Sequence, residues 1–287
     1  MGRGLKQWWW KGLGLFVLLV LAIGAYPAWR HLHPVSAADG WAYKVFADKI
    51  PMVSALAMDE RVGLYLSQEF TSQRGKILLR KPNGEMSEVL TGLSKPDGLV
   101  MFNGSLIVGQ EGGALPLLLD QSGNVQKLFD ADSIEGVATD GRLLYAIEDR
   151  KQDGRLFSYD PQTAEVKVLR EGLVQGEGIA ACTDGAIYYT EKTHGLVKRW
   201  NPDGNDSVVA SGLNAPGYVE CSSDGLWITE DATHGARLLL LGADGKLLTV
   251  LTHLRSAQTI IELETGHYLL SEQGRGRILD VFRSPSA

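Results

Sequence analysis

Carboxylate side chains recur at a regular interval along this chain, and carboxylates can bind hard divalent cations or transfer protons. Six glutamates each close a short apolar segment, and successive members are separated by 37 to 43 residues. They are Glu69, Glu111, Glu148, Glu191, Glu230 and Glu272. An interval of this length indicates an internal structural repeat.

A second set of acids, Asp97, Glu135 and Glu177, lies directly before a glycine at the start of other apolar segments. If both sets share one face of the fold, their like charges raise one another's pKa values, and a bound divalent cation is a common way to relieve this. We therefore predict Asp97, Glu135 and Glu177 as ligands of a divalent cation, with Glu191 as a further ligand. The alternative for the repeat glutamates is a structural role within each repeat.

Two histidines follow repeat glutamates, in the segments Glu191-Lys-Thr-His194 and Glu230-Asp-Ala-Thr-His234. An imidazole titrates near neutral pH, so a histidine beside carboxylates and a metal can act as a general base. We predict His194 and His234 as catalytic residues together with Glu230, the alternative being ordinary surface histidines. The chain has no Gly-x-Ser-x-Gly element, so the sequence gives no support for a serine nucleophile of that type.

Each repeat also supplies the strands that would position these residues. A turn signal, an apolar strand, a glutamate, a glycine and a further strand follow one another, and four antiparallel strands in about 40 residues make one propeller blade. Residues 41–46 alternate in polarity and can complete the sixth repeat, which closes the ring and removes an exposed edge. We predict an all-β fold, a six-bladed β-propeller spanning residues 40–287, with an open solenoid or a sandwich as the alternative.

The N-terminal segment has a different character. Residues 12–29 are uncharged, and they would form a helix about 27 Å long, near the thickness of a bilayer core. We predict residues 1–30 as a cytoplasmic tip and transmembrane signal anchor and residues 31–39 as a linker. Basic residues before the run place the N-terminus in the cytoplasm. The propeller would then lie in the periplasm of a bacterial inner-membrane protein. A cleaved signal peptide is the alternative.

The net charge bears on the binding partners, and the two cysteines bear on the cellular compartment. The net charge is −6 and the chain has no cluster of Lys and Arg, so we expect no nucleic-acid partner. A small-molecule substrate or an envelope partner is expected instead. Cys182 and Cys221 lie in corresponding places of neighbouring repeats, as two buried thiols or as a disulfide, which is permitted outside the cytoplasm.

Several short motifs resemble known propellers. Lys95-Pro-Asp-Gly-Leu99, Gly176-Glu-Gly-Ile-Ala180 and Asn201-Pro-Asp-Gly204 resemble the gluconolactonase and senescence-marker group, to which strictosidine-synthase-like and paraoxonase-like proteins are similar. The resemblance covers residues 41–283. It implies a calcium or other divalent ion at the channel mouth that polarises a lactone carbonyl for attack by water. Asp97 matches the acid of the first motif, and Glu177 matches the acid of the second.

A second resemblance points to other chemistry. The segments at residues 187–191 and 226–230 resemble the blade signature of streptogramin lyases, which implies metal-assisted elimination. Three interpretations therefore stand: a metal-dependent hydrolase of lactones or related esters, a metal-assisted lyase, and a non-catalytic propeller that binds a protein or glycan. The last is favoured by the membrane tether and by the lack of a match to the family's metal-binding Asn.

Overall fold

The computed structural model describes residues 13–14, 16–20, 23–26, 28–29, 32–112 and 115–284. The chain divides into two compact units, Met1–Ser36 and Ala37–Ala287. The described residues of the first unit up to residue 32 are helical, but no helix in the described part of the chain is long and apolar enough to cross a membrane. The predicted anchor falls partly outside the described residues and stays a prediction.

The second unit is built from six antiparallel sheets, which we number as blades 1 to 6 and describe from the innermost strand outward. Blade 1 consists of Val53–Asp59, Gly63–Gln68, Gly75–Arg80 and Met86–Leu93. Blade 2 consists of Pro96–Phe102, Ser105–Gln110, Leu117–Leu119 and Val125–Lys127. Blade 3 consists of Ile134–Thr139, Leu144–Glu148, Gly154–Asp160 and Glu165–Leu173.

The second half of the ring follows the same plan. Blade 4 consists of Gly176–Ala181, Ile187–Glu191, Leu196–Arg199 and Ser207–Ala210. Blade 5 consists of Pro216–Ser222, Gly225–Glu230, Ala236–Leu241 and Leu247–Leu254. Blade 6 consists of Ala257–Glu264, His267–Glu272, Arg277–Arg283 and Trp41–Ala47. A two-residue strand, Ser36–Ala37, lies at the boundary between the units, and a short 3₁₀ helix covers Gln273–Arg275.

The N-terminal strand closes the ring as the sequence predicts. Trp41–Ala47 pairs antiparallel with Arg277–Arg283, so blade 6 combines both ends of the propeller chain. The six innermost strands are neighbours in a closed circle, with that of blade 6 beside that of blade 1. Trp41 is buried against Trp227 of blade 5 at a ring-centroid distance of 5.3 Å, which adds aromatic packing to the closure. The six-bladed propeller is confirmed.

Cys182 and Cys221 form a disulfide between blades 4 and 5. Their Cα atoms are 5.5 Å apart, within the usual range for a bridge. Cys221 lies on an innermost strand and Cys182 directly follows one, so the bond crosslinks two neighbouring blades beside the channel. The interpretation as two free thiols is therefore wrong.

Candidate functional site

The register within the blades shows which residues are equivalent. In every blade the first residue of the innermost strand pairs with the last residue of the second strand. The pairs are Val53 with Gln68, Pro96 with Gln110, Ile134 with Glu148, Gly176 with Glu191, Pro216 with Glu230, and Ala257 with Glu272. Gln68 and Gln110, rather than Glu69 and Glu111, are thus the counterparts of the other repeat glutamates. The sequence alignment was displaced by one residue in blades 1 and 2.

These strand-end residues hold the blades together. From blade 2 onward, each one accepts a hydrogen bond from a backbone N–H in the loop that leads into its own blade. The donors are Ser94 to Gln110, Asp132 to Glu148, Val174 to Glu191, Asn214 to Glu230 and Arg255 to Glu272, at 2.7 to 3.4 Å. The four glutamates also form ion pairs with a basic residue of the third strand, namely Arg155, Lys198, Arg237 and Arg277. Their role in these contacts is structural.

The residue after each second strand forms a ring of its own, which we call the rim ring. Its members are Glu69, Glu111, Asp149, Lys192, Asp231 and Gln273. Each donates its backbone N–H, at 2.8 to 3.0 Å, to the carbonyl of a left-handed residue just before the innermost strand. Those residues are Met52, Lys95, Ser133, Gln175, Ala215 and Ser256. Six repetitions of one strained turn fix the rim positions.

The second residue of each innermost strand forms a deeper ring, the channel ring. Its members are Ser54, Asp97, Glu135, Glu177, Gly217 and Gln258. The three acids of this ring are almost fully buried, with exposures of 1 to 4%. Together the rim and channel rings carry seven carboxylates on one face of the propeller, which is the face that the sequence predicts.

Five of these acids meet as an acidic cluster in blades 1 to 3. Carboxylate oxygens of Glu69, Asp97 and Glu111 lie within 4.8 Å of one another, and so do those of Glu111, Glu135 and Asp149. Glu135 Oε2 is buried and has no hydrogen-bond partner among the described residues. A buried, unsatisfied oxygen within a set of hard oxygen donors fits a divalent cation such as Ca²⁺.

Burial and the charges of neighbouring acids raise pKa values within the acidic cluster. Burial, followed by the charges of Asp97 and Glu177, raises the pKa of Glu135 well above its ordinary value. Burial and the charge of Asp97 raise the pKa of Glu69 to about 8. Lys95 offsets part of this, since its Nζ lies 3.3 Å from Glu69 Oε1 and also contacts Glu111. Without a cation, Glu69 therefore holds a proton at neutral pH.

Glu177 has a different environment from the other two acids of the channel ring. Lys192 Nζ lies 2.7 Å from both Glu177 Oε1 and Asp231 Oδ2, so this lysine bridges blades 4 and 5. Although burial opposes it, the charges of these two acids raise the pKa of Lys192, which stays a fixed cation. Gln258 Nε2 donates to Asp231 at 2.8 Å. Glu177 is thus paired with lysine and lies outside the acidic cluster.

The other predicted site residues lie elsewhere in the blades. His194 is half exposed, with its Nδ1 3.7 Å from Glu191 Oε1. His234 is partly exposed, and its Nδ1 lies 3.4 Å from Thr233 Oγ1. Glu230 is fully buried in its ion pair with Arg237. The structure does not bring Glu191 or Glu230 into the acidic cluster, and the catalytic roles of the histidines stay predictions.

The glycine that follows each acid of the channel ring lies directly against the neighbouring innermost strand. A Cβ on Gly98 would lie 2.5 Å from the carbonyl oxygen of Glu135, and one on Gly136 would lie 2.5 Å from that of Glu177. Gly178 meets the next blade at the same distance. Only a residue without a side chain lets neighbouring innermost strands approach this closely, so the glycines set the spacing of the acids.

Tyr218 closes the channel below the acids. It is buried on the innermost strand of blade 5, and its hydroxyl donates to the backbone carbonyl of Asp97 in blade 2 at 2.5 Å. These blades are opposite each other in the ring, so the side chain spans the channel. The neighbouring channel-ring position is Gly217, which leaves room above the tyrosine. Tyr218 therefore forms the floor of the candidate metal centre.

Several residues of this site were missed in the sequence. Asp149, Lys192 and Asp231 each directly follow a repeat glutamate, and Lys95 directly precedes Pro96. Glu111 follows Gly-Gln and Asp149 follows Ile-Glu, so only the strand register places these two acids. Alignment on the dipeptide formed by Ser or Thr and the following Glu or Gln would have placed Lys192 and Asp231, with Glu69, in one ring. That signal was present in the sequence. No sequence signal pointed to Tyr218, because its hydrogen-bond partner is a backbone carbonyl on the opposite blade.

Comparisons with known proteins agree with this architecture. Residues 131–203 match the family model described as strictosidine synthase. No curated protein sequence matches the chain significantly. A gluconolactonase from Xanthomonas campestris superposes with a TM-score of 0.70 at 14% identity, covering 84% of this chain and 89% of that one.

Two further solved structures share the fold. A structural-genomics target described as a gluconolactonase superposes with a TM-score of 0.69 at 13% identity, covering 88% of this chain and 98% of that one. A chain of the nidogen–laminin complex gives a TM-score of 0.61 at 17% identity, covering 76% and 95%. At these identities the likeness concerns the fold. The chain therefore has the six-bladed β-propeller fold that these solved structures share.

Proposed function

We propose that this propeller is a divalent-metal-dependent hydrolase of lactones or related esters, with Ca²⁺ at the channel mouth. The observation that carries the proposal is the acidic cluster with its buried, unsatisfied Glu135 oxygen. Five carboxylates gathered around one opening are electrostatically costly without a cation. The gluconolactonase-like fold agrees with lactones as the substrate class.

Residues of both the channel ring and the rim ring would hold the ion. Asp97 and Glu135 would hold the ion from the channel ring, and Glu69, Glu111 and Asp149 would hold it from the rim ring. When bound, a divalent cation supplies a Lewis acid that polarises the substrate carbonyl.

Other residues would shape the reaction space. Tyr218 crosses the channel below the acids, so we expect substrate to enter from the rim. Lys192 keeps a positive charge beside the cluster and can attract an anionic product. His194 and His234, on loops that start at the rim positions Lys192 and Asp231, remain our proposed bases for water activation.

We also propose that the propeller functions in the periplasm, tethered by the N-terminal segment. The disulfide supports an oxidising compartment, since such bonds persist outside the cytoplasm. Oxidation state in cell fractions, measured by thiol alkylation, tests this location. A reduced pair in native protein would contradict it.

Two other functions remain as candidates. Lys95 and Lys192 already neutralise part of the acidic face through ion pairs, which suits a propeller that binds a protein or glycan without catalysis. The fold also occurs in a chain of the nidogen–laminin complex. A metal-assisted lyase would use the same acids but would form an unsaturated product, which mass spectrometry distinguishes from the hydrolysis product.

Hydrolysis of five- and six-membered lactones, followed in a pH-stat, tests the proposal. We expect acid release that requires Ca²⁺, stops on chelation and falls at least 100-fold in Glu135→Gln. The matched control is Glu262→Gln, an acid at the other end of an innermost strand, which should keep the wild-type rate. Turnover that is insensitive to chelation would overturn the metal dependence. Absence of turnover across the lactone panel would overturn the enzymatic proposal.

A further inference from the structure

The channel contains a second space on the other side of Tyr218, which we call the lower cavity. Its volume is about 210 Å³, and all six innermost strands contribute to its wall. The wall is mainly apolar, as shown by Leu56, Met101, Val137 and Ile179. This volume is below the roughly 300 to 1,000 Å³ of typical ligand pockets, so it suits a small molecule.

One charged side chain interrupts this apolar wall. Glu220 is the single charged residue among the described residues that line the lower cavity. In the register of the other blades its position is occupied by an apolar residue each time. The equivalents are Ala57, Val100, Ala138, Ala180 and Ile261. Five apolar residues show that the blade does not require a carboxylate at this position.

The Glu220 carboxylate has no hydrogen-bond or ion-pair partner among the described residues. Burial raises the pKa of Glu220 to about 8, and the negative charge of Glu262 contributes to this increase. Glu262 is itself held by the backbone N–H of Ser223 at 3.1 Å. Thr259 Oγ1 also lines this part of the channel and has no hydrogen-bond partner in the described structure. A ligand could satisfy both groups.

We propose that the lower cavity binds a small organic ammonium ion. The apolar wall would take the hydrocarbon part of this ligand, and its N–H groups would donate to the Glu220 carboxylate and the Thr259 hydroxyl. Glu220 is half-buried in mainly apolar surroundings, where a paired cation stabilises the charged carboxylate, and an ammonium ion also fits the apolar wall. An inorganic cation has no hydrocarbon part and would therefore make no apolar contact with that wall.

This site is independent of the proposed hydrolase activity. Tyr218 lies between the acidic cluster and the lower cavity, and it donates its hydroxyl toward the cluster side. The two sites share no carboxylate. Loss of one therefore need not affect the other, and the two proposals can fail separately.

Calorimetric titration of the full-length protein with benzylamine hydrochloride tests the inference, with benzyl alcohol as the neutral probe of similar shape. We expect saturable binding of the ammonium and at least 10-fold weaker binding of the alcohol. Glu220→Gln should weaken ammonium binding at least 10-fold. Glu135→Gln, in the acidic cluster, should leave it unchanged. Equal binding of both probes, or loss of binding in Glu135→Gln instead of Glu220→Gln, would overturn the proposal.

A second measurement uses only the wild-type protein, so it tests the proposal even if a variant folds poorly. At pH 7 the empty site holds a proton on Glu220, and an ammonium ligand requires the carboxylate. Wild-type binding should therefore release close to one proton, measured by titration in buffers of different ionisation enthalpy. Binding without proton release, or no saturable binding, would contradict the proposed ion pair.

Discussion

The Tyr218 hydroxyl donates to the Asp97 carbonyl across the channel, with 2.5 Å between the two oxygens. This bond connects blade 5 with blade 2 and fixes the backbone that carries a candidate metal ligand. Ser54 Oγ holds the Asp97 carboxylate from the neighbouring blade. The acid is thus positioned through both its backbone and its side chain.

Tyr218→Phe removes this single donor and leaves a buried carbonyl unsatisfied. We expect a loss of about 1–3 kcal/mol in the free energy of unfolding, measured by urea denaturation. Tyr188→Phe is the matched control, because the Tyr188 hydroxyl has no hydrogen bond among the described residues. A cost equal to that of the control would show that the cross-channel bond contributes nothing.

Gly136→Ala should disturb the contact between neighbouring innermost strands. Its Cβ would lie 2.5 Å from the Glu177 carbonyl oxygen, so the backbone must shift. We expect destabilisation of about 1–3 kcal/mol or more, as for other overpacked sites, and weaker Ca²⁺ binding. Gly217→Ala is the control, since its Cβ would meet nothing closer than 3.5 Å. Similar unfolding midpoints for both variants would contradict this explanation of the acid-glycine motif.

The metal-free protein should lose stability as the pH rises. Burial raises the pKa values of Glu69 and Glu177 from 4.5 to about 8, so the folded chain holds protons that the unfolded chain has released. This contribution is fully present below about pH 4.5 and is lost as the pH rises through 8.

Thermal unfolding in chelator should therefore give a lower midpoint at pH 9 than at pH 6. Added Ca²⁺ should raise the midpoint more at pH 8.5 than at pH 6, because protons then compete less for the acids. The double variant Glu69→Gln with Glu177→Gln should flatten the pH dependence in chelator. A midpoint that rises between pH 6 and 9 without metal would refute the raised pKa values.

The disulfide between Cys182 and Cys221 closes a loop with a sequence separation of 39. Chain-entropy arguments give about 4 kcal/mol for a loop of this size. We expect the double variant Cys182→Ser with Cys221→Ser to unfold at lower denaturant concentration by roughly this free energy. Added reductant should destabilise the wild type but not the double variant. Equal stability of oxidised and reduced wild type would argue against the bond.

Periodicity in the sequence was sufficient for the fold and only partly sufficient for the site. The repeat predicted six blades, and the polarity of residues 41–46 predicted ring closure; both follow from local strand patterns. Asp97 and Glu135 were also predicted at the channel. Glu191 pairs with Lys198 outside the acidic cluster, because strand-end and rim residues are adjacent in sequence but face different surroundings. Pairing of Glu177 with Lys192, and the lone Glu220 in the lower cavity, depend on the alignment between blades.

The metal content of the purified full-length protein tests the central claim most directly. After dialysis against Ca²⁺ and removal of free ion, mass spectrometry should find close to one divalent ion per chain. Glu135→Gln should lose it, whereas Glu220→Gln, below Tyr218, should retain it. A wild-type protein without bound metal, or a Glu135→Gln variant that keeps the full content, would contradict a metal centre in the acidic cluster.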